Sequence, residues 1–310
     1  MKTVQDGILN AGTPQVLLVG NGINLLFNDP SWKKLIENEL ERTGSSMRYK
    51  DIENMPATMQ IVVASDNQVD QRMKEMAKTL IQPSLAKERE VFLRSLLDMP
   101  VDDILTANYA YELEMAAGMK PDRRQYSAKM QSTFPLKGTH RRFRLFQYYE
   151  ANGKRIWHVH GDIAKPETML MGHYYYAKQL RAIQDCVGRT MQRYHICLKQ
   201  GEPFKSYSWV DQFLTGDVYI LGLGMYLCES DLWYLLCCKQ GNFPETRTVF
   251  YDKDCKDFNI CTMLKVYGAE VVSGKDLKAE SDYMRFYEAA LADIRKRIRK
   301  NAENRGGKTE

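Results

Sequence analysis

Along this chain, short apolar runs alternate with stretches in which apolar residues recur every three or four positions. Val16, Leu17, Leu18 and Val19 form an unbroken apolar run that gives way to Gly20, Asn21, Gly22, Ile23 and Asn24. Such a run, bounded by glycines, predicts a buried strand followed by a tight turn. After Asp29, Pro30 and Ser31, the residues Trp32, Leu35, Ile36 and Leu40 recur at helical spacing until Gly44. Val69, Met73, Met76 and Leu80 repeat that spacing, Pro83 interrupts it, and Phe92, Leu93, Leu96 and Leu97 resume it before Pro100. The methionines here read as core filler. A helical insertion over about 31–100 therefore separates the first strand from the second.

Strand chemistry returns at Ile104, Leu105 and Thr106, ends in Ala107, Asn108 and Tyr109, and leads into a helix from Tyr111. Pro121 to His140 has no clean period and several basic residues, which marks an irregular insertion over about 118–141. Phe143, Leu145 and Tyr148, an Asn152-Gly153 turn, and Ile156 to His160 predict a hairpin. The second strand ends in His158, Val159, His160 and Gly161, so the two histidines point to the same face, because side chains alternate. Tyr174–Leu180 and Ala182–Tyr194 read as helical. Val218–Leu221 breaks at Gly222 and Gly224, and Ser230 with Asp231 starts a helix. Val249 to Tyr251, ending at Asp252, and Val271 with Val272, ending at Gly274, complete the strands. Strands alternating with helices predict an α/β fold: a Rossmann-like, doubly wound, mainly parallel sheet with helical insertions. We expect one domain over 1–284 and a basic C-terminal helix and tail over 285–310.

Composition narrows the function. The net charge is +5, and residues 285–310 hold eight Lys or Arg against four acids, so the body is close to neutral. A nucleic-acid partner is not expected from such a body. No run of about 18 apolar residues and no signal-peptide pattern is present, so a cytoplasmic protein away from membranes is expected. Seven cysteines without a Cys-x-x-Cys pair suit reduced, buried thiols and leave no four-cysteine zinc module.

The polar residues collect at strand C-termini, the edge where α/β sheets bind ligands. A Gly-x-Gly turn feeding a helix can present backbone N–H groups to a phosphate, and Asp252 at a strand end is placed to accept from a ribose hydroxyl. Each residue also has a plain structural alternative. Asn21 and Asn24 can cap a helix, Asn108 can be a turn residue, and His160 can be a structural histidine. His158 reads as a hydrogen-bonded core residue. A different reading takes His158-x-His160 as a metal pair, completed by Asp103 or Asp252.

Taken in order, these strand ends resemble the sirtuin-like family. Gly20, Asn21, Gly22, Ile23 and Asn24 stand where a sirtuin has Gly-Ala-Gly-Ile-Ser; Thr106, Ala107, Asn108, Tyr109 and Ala110 look like its Thr-x-Asn-x-Asp; His160 and Gly161 look like its catalytic His-Gly. Ile220 to Gly224, with Glu229 and Asp231, is similar to the stretch that completes the NAD pocket. Two departures stand out: Ala110 replaces the usual aspartate, and the zinc module of protein deacylases is missing. The second is similar to the phage-defence branch, which hydrolyses NAD. The resemblance implies an NAD-binding domain in which NAD is a substrate, with no prosthetic group and no metal. It implies catalytic roles for Asn108 and His160. Gly20, Asn21, Gly22, Ile23, Asn24, Thr106, Tyr109, Gly222, Gly224 and Asp252 would then line the nucleotide. The alternative is a non-catalytic sensor that binds NAD or an ADP-ribose-type nucleotide, with Ala110 as the sign of lost chemistry. Control by self-association or by a separately encoded partner is expected, with Met284, Tyr287, Leu291, Ile294 and Ile298 as a candidate heptad surface.

Overall fold

The apolar runs do form the strands of one sheet. The computed structural model describes residues 13–27, 32–81, 84–119, 131–132 and 145–306. Asp29 to Ser31, Pro83, Phe143 and most of the irregular insertion lie outside the described residues. In chain order the strands are β1 (Gln15–Val19), β2 (Asp103–Thr106), β3 (Gln131–Ser132), β4 (Gln147–Ala151), β5 (Lys154–His158), β6 (Asp217–Leu221), β7 (Thr248–Tyr251) and β8 (Ala269–Val272). The helices are α1 (Gly22–Leu25), α2 (Trp32–Arg42), α3 (Tyr49–Ile52), α4 (Ala57–Ala64), α5 (Val69–Thr79), α6 (Lys87–Leu97), α7 (Glu112–Ala116), α8 (His173–Gln200), α9 (Trp209–Thr215), α10 (Ser230–Asn242), α11 (Phe258–Val266) and α12 (Tyr283–Gly306).

The strand order is β3-β4-β5-β2-β1-β6-β7-β8. From β5 to β8 all neighbours are parallel. In those six strands the chain starts in the middle, builds outward through β2 and β5, then returns to the other side of β1 with β6, β7 and β8. This is the doubly wound Rossmann order, and its switch point lies between β1 and β6. Every residue of β1, β2, β6 and β7 is buried, as expected for strands covered on both faces.

The β4–β5 hairpin adds an antiparallel flank. Its Asn152 and Gly153 have φ of 52° and 70°, the pair of left-handed residues that a tight hairpin turn requires. Two differences from the sequence reading concern helices. The stretches 174–180 and 182–194 are one helix, α8, because no breaker stands at Arg181. The C-terminal heptad stripe is already covered by its own body: Tyr287, Leu291 and Ile294 are buried, and Tyr287 packs against Phe92 with ring centroids 6.2 Å apart. That stripe is therefore not a free partner surface.

Candidate functional site

At the switch point the β1 and β6 turns lock together. Gly20 N donates to Leu221 O at 3.0 Å, and Gly22 N donates to Gly222 O at 2.7 Å. A Cβ on Gly20 would stand 2.5 Å from Gly222 O, and one on Gly22 would stand 2.7 Å from the same oxygen. The glycines thus serve close approach of two backbones. The N–H groups of Gly20 and Gly22 are already bonded within the fold. The following α1 is a single turn of four residues, so its dipole adds little.

Asn24 is not a helix cap. It is buried, and its Nδ2 donates to Asn21 Oδ1 at 3.1 Å and to Glu112 Oε1 at 3.3 Å. Arg89 Nη2 donates to Asn24 Oδ1 at 3.1 Å and lies 3.4 Å from Glu112. This buried network ties α1 to α6 and α7, and Ile23 beside it is core. Gly224 is exposed beside the Tyr226 ring.

β2 and β5 are neighbours in register, with Thr106 opposite His158, so Asn108 and His160 leave adjacent strand ends. Thr106 Oγ1 accepts from Asn108 N at 3.1 Å and fixes that turn. The Asn108 side chain has no hydrogen-bond partner among the described residues, although the residue is only 9% exposed. Tyr109 is held by its hydroxyl, which donates to Leu170 O at 3.0 Å.

β5 ends at His158, so strict alternation does not carry through to His160, and the two rings meet different neighbours. His158 Nδ1 is 2.8 Å from Asn108 O, and its Nε2 is 3.0 Å from Glu114 Oε1. Tyr111 and Tyr149 enclose the ring edgewise. Burial works to lower the basicity of His158, but the Glu114 carboxylate outweighs it and holds the ring above the ordinary histidine value. With both nitrogens engaged, His158 is the core residue the sequence suggested. The His158-x-His160 metal pair is therefore overturned, and so is Asp103 as its helper. Asp103 lies at the opposite end of β2 and is bonded to Arg155 and to Trp157 Nε1, each at 2.7 Å.

His160 is 3% exposed and sits in a turn shaped by Gly161, whose φ is 84° and whose added Cβ would strike Thr168 O. Its Nε2 lies 3.2 Å from Asp231 Oδ2 and 3.6 Å from Glu229 Oε2, in ion-pair range but off the line of a hydrogen bond. Gln179 on α8 donates to Asp231 Oδ2 at 2.9 Å and to Val159 O at 3.0 Å. Tyr176 donates to Glu229 Oε2 at 3.1 Å and meets the His160 ring edgewise. Burial pushes His160 down, yet the charge of Asp231, and then of Glu229, holds it above its ordinary value. Burial also raises Glu229. Asp231, by contrast, stays low because His160 and Gln179 offset its burial. Two carboxyls on one helix end are thereby pushed apart, a pattern typical of acid–base sites.

Asp252 follows β7, and its Oδ1 accepts from Asp254 N at 3.2 Å. Among the described residues, two groups have ligand atoms within 4.8 Å of one another: His160, Glu229 and Asp231, and Asp252, Cys255 and Cys261. In the first, the two carboxylates already face the His160 ring and raise its basicity. In the second, burial pushes the Cys255 thiol up to about 12, which disfavours the thiolate a metal needs.

The sequence named Glu229 and Asp231 only as part of a stretch. Gln179, Tyr176, Arg89, Glu112 and Glu114 were not found, because each acts through partners distant in the chain. Only the Ser230-Asp231 helix start could have singled out Asp231. No protein-family model matches the chain, and no curated protein matches it.

Proposed function

We propose that these strand ends form a site that hydrolyses NAD to nicotinamide and ADP-ribose. The observation that carries the reading is a buried histidine, backed by a carboxylate, leaving one strand end beside an asparagine with an uncommitted amide on the next. The doubly wound order supports it, because dinucleotides bind at the carboxyl edge near the switch point. So does the sirtuin-like resemblance of the same residues.

The chemistry asks little more of the protein. The nicotinamide nitrogen of NAD is cationic, so it leaves with the bonding electron pair as a neutral molecule and needs no acid. The ribose carbon develops oxocarbenium character, and a water oxygen then bonds to it while His160 takes the water's proton. Asn108 can orient that water or the ribose hydroxyls through its free amide. Asp252 is the candidate partner of the other ribose.

A second reading, a sensor that binds the nucleotide without cleaving it, is favoured by one observation. Ala110 stands where a carboxylate would be, and the two turn glycines serve the packing of β1 on β6, which a binding module needs as much as an enzyme does. Nicotinamide release by the native chain, compared with Asn108→Ala and His160→Ala, decides between them when NAD binding is measured by calorimetry alongside. Release lost in both variants supports hydrolysis. Binding without release by the native chain supports the sensor.

A further inference from the structure

The His160 surroundings define which ring nitrogen is available for chemistry. Nε2 faces the first turn of α10, where it has Asp231 and Glu229 as neighbours and is sealed from solvent. Nδ1 makes no hydrogen bond among the described residues and is not among the sealed atoms. Asp231 is completely buried and anchored by Gln179, whose second bond reaches Val159 O, in the residue before His160. Gln179 therefore fixes the carboxylate relative to the histidine's own backbone. Glu229 is farther from the ring and already accepts the Tyr176 hydroxyl.

We propose that Asp231 is the positioning residue of the site: it keeps the proton of neutral His160 on Nε2 and so makes Nδ1 the atom that accepts a proton from the reacting water. This deepens the hydrolysis reading and rests on it only for the last clause. The physical reason is hydrogen-bond complementarity. A carboxylate can only accept, so the nitrogen facing it must donate, and the opposite nitrogen keeps its lone pair. The off-line geometry is consistent with this role, since such bonds are often loose before substrate binds and tighten afterwards. Tyr176 meets the ring edgewise, Tyr109 lies by both carboxylates and Cys228 by Glu229, and burial raises all three, which favours their neutral forms. Among the described groups around His160, only Asp231 and Glu229 supply negative charge.

The test is nitrogen NMR of the full chain labelled in its histidines, with His160 assigned by its loss in His160→Gln. At a pH where the ring is neutral, the native protein should show the proton on Nε2. Asp231→Asn should convert His160 to a mixture of tautomers, whereas Glu229→Gln should leave it unchanged. Should Asp231→Asn fail to fold, Gln179→Met, which frees the carboxylate from its anchor, should give a smaller change of the same kind. Asp231→Glu should restore the Nε2–H form in part. A native ring protonated on Nδ1, a tautomer indifferent to Asp231, or stoichiometric zinc held by the native chain and lost in His160→Gln would each overturn the assignment. Nicotinamide release measured on the same samples bears on the reaction. If it is absent from the native chain while the tautomer behaves as stated, the hydrolysis reading falls and the role of Asp231 in orienting the ring stands. If it is present, Asp231→Asn should lower kcat by about 10²-fold or more with little change in KM.

Discussion

His158 and His160 stand two residues apart, both almost fully buried and both beside a carboxylate, yet their pockets differ in what is left over. The first pocket is closed. Its imidazole spans from Asn108 O to Glu114, and two tyrosine rings seal its faces. In the second, one nitrogen faces a carboxylate, and among the described residues neither the other nitrogen nor the side-chain amide of the asparagine on the neighbouring strand end has a hydrogen-bond partner. A buried ion pair alone therefore says nothing about function; unspent hydrogen-bonding capacity at a ligand edge does.

Substituting each histidine should separate these pockets. His160→Ala is expected to reduce nicotinamide release by about 10²–10⁴-fold and to lower stability as well, because Asp231 is left buried without its ion-pair partner. An equal loss of activity in a well-folded His158→Ala protein would break the contrast. His158→Ala should instead act on stability, by about 3–5 kcal/mol in denaturant unfolding, because Glu114 would be left buried and unpaired.

Gly161→Ala should cost about 1–3 kcal/mol, since its backbone is left-handed and a Cβ meets main chain that cannot step aside. It should also lower activity, because the turn it distorts carries His160 and not His158. A variant that loses stability but keeps full activity would show that the position of the ring is not set by this turn.

The smallest effect is a pair of pH dependences of opposite sign. Both histidines are raised in the folded protein above the ordinary value of 6.5. The stability they contribute is present in full below pH 6.5 and is lost as pH rises through their folded values. His160 as a base must be neutral, so activity should rise over that same interval. Thermal melts and initial rates across pH 6–9 should therefore cross, and His158→Gln should reduce the slope of the melt to the His160 share without moving the rate profile.

Much of this was legible in the chain. β1 and β6 declared themselves as apolar runs ending in glycine, and Asn152-Gly153 fixed the hairpin. The polar strand ends were also visible, and the fold puts Asn108 beside the turn that carries His160. Other features were hidden for identifiable reasons. α4 carries Ile61, Val62 and Val63, a β-branched run with no helical signature of its own, and it is helical because tertiary packing overrides propensity. α9 is only seven residues long, and its capping box of Ser208 and Asp211 went unread. The heptad stripe was correct as a pattern, but a pattern cannot say whether the covering surface belongs to a partner or to the same chain. The Gly-x-Gly turn suggested a phosphate, whereas what its glycines accommodate is the neighbouring backbone. The carboxylate behind His160 was the least visible, because Gln179, Asp231 and His160 meet only through the fold.

One contact over the β1 turn has a consequence for how the protein comes into being. The hydroxyl of Tyr287, on α12, sits 3.0 Å from where a Cβ of Gly22 would be, so α12 closes over the β1 turn. Gly22 leaves the ribosome early and Tyr287 late. The β1 turn is therefore covered only after nearly all of these residues have been synthesised. A nascent or interrupted product would leave that turn uncovered.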